Sequence, residues 1–187
     1  MKYTELSTEA QKNAIKNYKD CDVFADLVNN YIVDDMQSRF NELVYNWDEY
    51  LNLEYSLNYS QGDGVSFSGE LDEVQAKDFP FGKYVKDDTN IVIEFRRISH
   101  NYSHKNTVDI FIDFYGWDVE NNGKPPVYDD NDIHNLEDAV QKYYNDVCDE
   151  LERYGYDILD AYYSDEFVKD MLIDNEFDYF DEDGNIV

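Results

Sequence analysis

Hydrophobic residues in this chain change their period twice, and that change limits the folds open to it. From Asp22 to Trp47 the positions Phe24, Leu27, Val28, Tyr31, Ile32, Met36, Phe40, Leu43, Val44 and Trp47 recur at steps of three and four. That step puts them on one face of a helix. From Leu53 to Phe114 the step is two. Leu53, Tyr55, Leu57 and Tyr59 alternate with polar neighbours, Val65 and Phe67 open a second group ending near Gly69, and Ile91, Val92, Ile93, Phe95 and Ile98 form a third. Val108, Ile110, Ile112 and Phe114 form a fourth. Turn-forming stretches separate the groups: Ser60-Gln61-Gly62-Asp63-Gly64, an irregular segment over 70–88 with Pro80 and Gly82, and 101–106. The longer step returns with Ile133, Leu136, Val140, Tyr143, Val147, Leu151 and Tyr154. The pattern is that of an α+β chain: N-terminal helices, an antiparallel sheet of about four strands with helices on one face, and acidic C-terminal helices.

Local signals set the expected boundaries. Ser7 caps a first helix reaching Lys19, with Glu9 in the first turn, where the helix dipole favours an anion. Residues 120–131, with Asn121-Asn122-Gly123 and Pro125-Pro126, read as a loop. The helix from Asp132 is expected to stop at Gly155, a common C-terminal residue. Ile158, Leu159, Tyr162, Phe167, Met171 and Leu172 mark a further helical region, with Ser164 placed to cap a new turn. Phe177 to Phe180 reads as a short strand before an Asp183-Gly184 turn. With no repeat and no long linker, residues 1–187 are expected to form a single domain: 1–50 helical, 51–117 sheet, 129–176 acidic and helical.

Charge restricts function more than it restricts fold. The chain holds 43 Asp and Glu against 15 Lys and Arg, a formal net charge of -28. Nucleic acid and anionic membrane carry the same sign, so direct binding to either is disfavoured. Disorder is disfavoured too, because 18 Tyr, 11 Phe and 2 Trp supply ample area for a core. Residues 117–187 alone carry 22 acids and four bases, so the purpose of the charge is sought there. No apolar run is long enough to span a membrane, and Met1 to Lys19 has no apolar stretch of the kind a signal peptide needs. Cys21 and Cys148 form no CxxC motif and read as reduced thiols, so the expected location is the cytoplasm.

Four features could carry function. The first is the acidic region. If the apolar stripe of the 132–154 helix faces the core, Glu137, Asp138, Asp146, Asp149, Glu150 and Glu152 face elsewhere, and Asp157, Asp160, Asp165 and Glu166 continue the series beside Tyr163. Acidic residues three or four apart on a helix have Cβ atoms about 5–6 Å from one another, close to the spacing of phosphates along a strand, and repel by a few tenths of a kcal/mol per pair. Such a row is either a solvated face or a mimic of a polyanion aimed at a basic groove. The second feature is calcium ligation. Asp181-Glu182-Asp183-Gly184 has only part of an EF-hand loop and the chain ends too soon, while Asp129-Asp130-Asn131-Asp132 lacks the glycine, so no metal or other cofactor is expected.

The third and fourth features are turns. Gln61-Gly62-Asp63-Gly64 is either a tight hairpin or a strand-end carboxylate flanked by backbone that a ligand can approach closely. His100-Asn101-Tyr102-Ser103-His104 holds two of the three histidines. If the two turns share one sheet edge, Asp63, Tyr102 and His104 could act together on a phosphodiester. Ser66 and Ser68 sit in no nucleophile elbow, and Cys148 lies in a helix near its buried face, a poor position for a nucleophile.

Three segments taken together carry a resemblance: Glu5-Leu6-Ser7 with Ala10 and Ala14, Tyr59-Ser60-Gln61-Gly62-Asp63-Gly64-Val65-Ser66-Phe67, and Asp181-Glu182-Asp183-Gly184. The arrangement resembles small proteins of unassigned function encoded by bacteriophages and other mobile elements, some of which act as anti-CRISPR proteins. The resemblance implies an origin in a phage or prophage and a target in host defence, and brings no catalytic residues with it. Three functions are therefore expected in turn. The leading one is an acidic inhibitor that mimics nucleic acid and binds the basic channel of a host nuclease such as a type II CRISPR effector. The second is a nuclease-like enzyme cutting guide RNA or other nucleic acid at the two turns. The third is a binding module for another basic host protein.

Overall fold

The computed structural model describes residues 1–87, 90–115, 128–175 and 179–187. The helices are α1 (Thr8–Lys19), α2 (Asp22–Leu43), α3 (Glu73–Ala76), α4 (Asp130–Tyr162) and α5 (Asp165–Asp174). The strands are β1 (Leu51–Ser56), β2 (Gly64–Asp72), β3 (Asn90–Arg97) and β4 (Val108–Tyr115), and the chain is α+β as its periodicity requires. Two compact units form, one from Met1–Asp35 with Tyr154–Val187, the other from Met36–Arg153. Helices α2 and α4 each contribute one portion to each unit. No helix among the described residues is long and apolar enough to cross a membrane.

The second unit contains the sheet, an antiparallel meander in the order β1-β2-β3-β4. Leu53 pairs with Phe67, Gly69 with Phe95, Leu71 with Ile93, and Ile93 with Ile112. With period two, this register collects most of the apolar side chains on one face and leaves Glu70, Glu94, Arg96, Asp109 and Asp113 on the other, with Val92 and Phe111 among them. The apolar face is covered by helix. Phe40 of α2 meets Phe67 at 5.5 Å between ring centroids, and Tyr144 of α4 meets Phe67 at 4.6 Å and stacks on Phe95 at 5.4 Å. All four rings are buried, and each such side chain removed from water contributes on the order of 1.5–3 kcal/mol. The Tyr144 hydroxyl is an exception within this core. The amide of Phe67 and the thiol of Cys148 lie near it, but it finds no partner of good hydrogen-bonding geometry, and burial pushes its pKa up.

In the first unit, α1 behaves as its sequence predicts: Ser7 Oγ accepts from the amide of Ala10 at 3.2 Å, and Ala10, Ala14, Ile15 and Tyr18 are buried. Phe24 packs on Tyr18 and on Tyr163. Helix α5 is capped by Ser164, whose Oγ accepts from the amide of Phe167. The Asp181–Gly184 turn folds onto α1, with Asn13 and Asn17 donating to the carbonyls of Asp183 and Gly184. The Asp181 carboxylate accepts from the side-chain amide of Asn185 and from the backbone amides of Asn185 and Asp183, which holds its pKa below the ordinary value. This acidic turn is a structural clasp.

Several boundaries differ from those expected. Helix α2 stops at Leu43 instead of Trp47, because Tyr45 and Asn46 adopt left-handed backbone with φ of 56° and 63°. Helix α4 starts at Asp130 and runs through Gly155 to Tyr162. Gly155 is buried on the packed side of the helix, and the stripe continues beyond it at Ile158 and Leu159. Strand β1 begins at Leu51 and ends at Ser56, since Tyr59 has a φ of 53° in the following turn. The irregular stretch from 70 holds the end of β2, the helix α3 and a 3-10 turn at Gly82–Tyr84. Of the expected loop and late strand, residues 120–127 and 177–178 lie outside the described residues; Phe180 forms a single bridge with Ile186.

Candidate functional site

In a four-stranded meander the first and third connections emerge at the same end of the sheet. The β1–β2 and β3–β4 turns therefore adjoin, as the Asp63–His104 reading requires. A side chain at Gly62 would lie 2.3 Å from the Tyr102 ring, and one at Gly64 would lie 3.0 Å from His104 Cδ2. Both glycines have positive φ, of 96° and 150°, so the turn needs them for conformation as well as for space. Arg97 links strand β1 to the β3–β4 turn. It ion-pairs with Glu54 of β1, and donates from Nε to the carbonyl of Ser99 at 2.7 Å.

The chemistry of these residues is directed inward. Asp63 Oδ1 accepts from the hydroxyls of Ser56 at 2.6 Å and Ser60 at 3.0 Å, while Oδ2 accepts from the amides of Asn58 at 2.6 Å and Ser60 at 2.7 Å. Desolvation alone would raise the carboxyl pKa, but the four donors outweigh it and hold it down at about 2. A carboxylate so stabilised is a weak general base. His104 Nδ1 accepts from the amide of Asn106 at 3.1 Å, which places the neutral ring's proton on Nε2, and its carbonyl accepts from the amide and hydroxyl of Thr107. Tyr102 is exposed, with its ring over Gly62. The geometry makes this end of the sheet a braced pair of turns. No group of three or more His, Cys, Asp or Glu placed to hold a metal occurs among the described residues.

The acidic series divides by its partners. In the second unit, Asp138 faces His134 at 3.4 Å, and Asp146, Asp149 and Glu150 ion-pair with Lys142, Lys105 and Arg39. Glu137 and Glu152 make no salt bridge among the described residues. Cys148, between these acids, is buried, and its thiol is pushed up to about 12 by desolvation. In the first unit Asp165 pairs with Lys19 at 2.5 Å, and Asp157 and Asp160 are exposed on the last turns of α4. Tyr163 is exposed at one edge while its ring packs edge-on against Phe24 at 5.3 Å.

Helix α5 extends the series beyond Glu166 with Asp170 and Asp174, which the sequence reading passed over. Glu166, Asp170 and Asp174 form one i, i+4 row, all exposed and none ion-paired among the described residues. Asp170 and Asp174 border a groove of about 330 Å³ whose other walls are Tyr31, Tyr162, Phe167, Met171 and Asn175. The three rings touch: Tyr31 to Tyr162 at 5.4 Å, Tyr162 to Phe167 at 5.0 Å, and Tyr31 to Phe167 at 6.4 Å. Tyr162 donates its hydroxyl to Asp35 at 2.5 Å, and burial together with that carboxylate pushes its pKa up to about 12. The signal for this groove was present in the spacing of Phe167, Asp170, Met171 and Asp174, which share one helical face. A second groove, of about 510 Å³ in the sheet-containing unit, mixes Lys83 and Lys142 with Asp138 and Asp146 and so favours neither charge.

No family model, curated protein or solved structure matches the chain.

Proposed function

We propose that this chain is an acidic binding protein that occupies the basic nucleic-acid channel of a host nuclease and acts without chemistry of its own. The observation that carries the reading is the Glu166–Asp170–Asp174 row, three exposed carboxylates that form no ion pair among the described residues, Lys169 of the same helix included. Each i, i+4 pair of like charges costs the helix a few tenths of a kcal/mol, and Asp174 adds a negative charge at the helix C-terminus, where the dipole disfavours it. A row that destabilises its own helix is better explained by an external cation than by folding. Glu137 and Glu152 present similar charge from the other unit. The inward-directed bonds of Asp63 and His104 support binding in preference to catalysis. The resemblance to phage proteins makes a type II CRISPR effector the first partner to try.

Charge-neutralised variants test the reading. Changing Glu166→Gln, Asp170→Asn and Asp174→Asn together should weaken binding to a purified effector by about tenfold or more at low salt, mainly through slower association. The difference should shrink as salt rises toward about 1 M, where the screening length falls to about 3 Å. Equal affinity of variant and parent at low salt would refute it.

A further inference from the structure

Charge alone fits any cation, but the groove beside Asp170 and Asp174 has a shape that selects among cations. Its wall is three aromatic rings, from α2, α4 and α5. An aromatic face attracts a cation through its quadrupole, and a carboxylate at its rim adds a charge-assisted hydrogen bond. A quaternary or methylated ammonium needs rings standing apart to enclose it. Here the centroids are 5.0–6.4 Å from one another, so the rings are in contact and leave no space between them. A flat cation needs no enclosure. It can lie on the wall and turn its edge to the acids at the rim. The guanidinium group is planar, stacks on aromatic faces and binds carboxylates through a fork of N–H donors, whereas an ammonium does neither of the last two.

We infer that the Tyr31–Tyr162–Phe167 wall with Asp170 and Asp174 is a binding site for an arginine side chain of the partner. The inference rests on the binding function proposed above and names its point of contact. Several features prepare the site. The Ser164 cap fixes the first turn of α5, and with it Phe167. The bond from Tyr162 to Asp35 fixes the second ring, and Tyr31 offers the open surface, being 38 % exposed. The lining has no basic residue to compete for the two carboxylates. An arginine seated on aromatic rings is also the kind of contact that dominates protein interfaces.

The test is an NMR titration of the full chain with N-acetyl-arginine amide, with the lysine and citrulline analogues as controls. Citrulline keeps the shape of arginine and lacks the charge. The expected result is a saturable shift of Tyr31, Tyr162 and Phe167 ring resonances, with millimolar affinity for arginine, several-fold weaker binding of lysine, and no saturation with citrulline. Asp170→Asn with Asp174→Asn should weaken arginine binding about tenfold, and Tyr31→Leu, which keeps apolar contact, about threefold. Both variants should unfold in the same temperature range as the parent, which separates lost binding from lost structure. Equal shifts with citrulline, or shifts spread over all acidic surfaces without saturation, would overturn the inference. Failure of this site is distinguishable from failure of the wider reading. If arginine does not bind here while the α5 acids still govern effector binding, only the arginine site is wrong. If arginine binds here and no effector is bound, only the channel-binding reading is wrong.

Discussion

Replacing Asp63 by Asn removes one charge and leaves the side chain nearly the same size. The carboxylate has an acceptor on each side, Oδ1 for two serine hydroxyls and Oδ2 for the amides of Asn58 and Ser60. Asparagine keeps one carbonyl oxygen and turns an NH2 group toward two of the donors. The magnitude follows from the proton affinity. The pKa falls from an ordinary 3.8 to about 2 in the folded chain. At about 1.36 kcal/mol for each tenfold change, that gap corresponds to roughly 2.4 kcal/mol. The carboxylate is only half-buried, so solvent screening lowers the figure to about 1–2 kcal/mol. Because the folded pKa is the lower one, the stabilisation is fully present above the unfolded value near 3.8 and is lost as pH falls through about 2. Urea unfolding of parent and Asp63→Asn at pH 7, 3 and 2 reads this directly. The variant should be about 1–2 kcal/mol less stable at pH 7, with roughly half that deficit at pH 3 and little at pH 2. A deficit that does not change with pH, or one below about 0.5 kcal/mol at pH 7, would refute the assignment of Asp63 as the acceptor that holds the turn.

Three further outcomes follow from packing. Tyr144→Phe deletes a buried hydroxyl that lacks a well-placed partner, so it should leave stability unchanged or raise it by about 1 kcal/mol in the same urea assay; a comparable loss would show that the hydroxyl is well bonded. Gly62→Ala should cost about 1–3 kcal/mol, since the new methyl meets the Tyr102 ring and the residue keeps a φ of 96°; Gly62→Ala in a Tyr102→Ala background should recover part of that loss. Ellman's reagent at pH 8 should modify Cys21 in the native chain and Cys148 only after denaturation, because Cys148 is 1 % exposed and its thiol is pushed up to about 12; rapid labelling of both would contradict the packing of α4.

The fold was legible in the sequence wherever side-chain period decided the structure. The alternation over Leu53–Phe114 marked four strands, and Ser7 and Ser164 marked helix starts through a hydrogen bond that both side chains make. It was less legible where one residue type serves two ends. Gly155 reads as a stop, yet in a buried stripe it continues the helix; Tyr45, which carries no such mark, and Asn46, which carries a weaker one, end α2 by entering left-handed backbone. The start of α3 has a local mark of its own in the Asp72–Gln75 capping box: Asp72 Oδ1 accepts from the amide of Gln75 at 2.9 Å, and Gln75 Oε1 accepts from the amide of Asp72 at 2.8 Å. For the candidate sites, sequence order placed the Asp63 and His104 turns at one end of the sheet but not the hydrogen bonds that engage them. It marked the acids of α4, half of which turn out to be ion-paired, and passed over Asp170 and Asp174. Their importance depends on Tyr31, more than 130 positions away, and no local pattern connects the two.

The central claim, that this chain fills a basic nucleic-acid channel by charge, is tested most directly by cleavage with a purified, guide-loaded type II CRISPR nuclease. Target DNA and guide RNA would be followed on gels with and without the chain, at low and at high salt. The account predicts that cleavage stops at low salt with the guide intact and returns as salt rises. Loss of cleavage accompanied by a cut guide, inhibition indifferent to salt, or cleavage unaffected at any salt would contradict it.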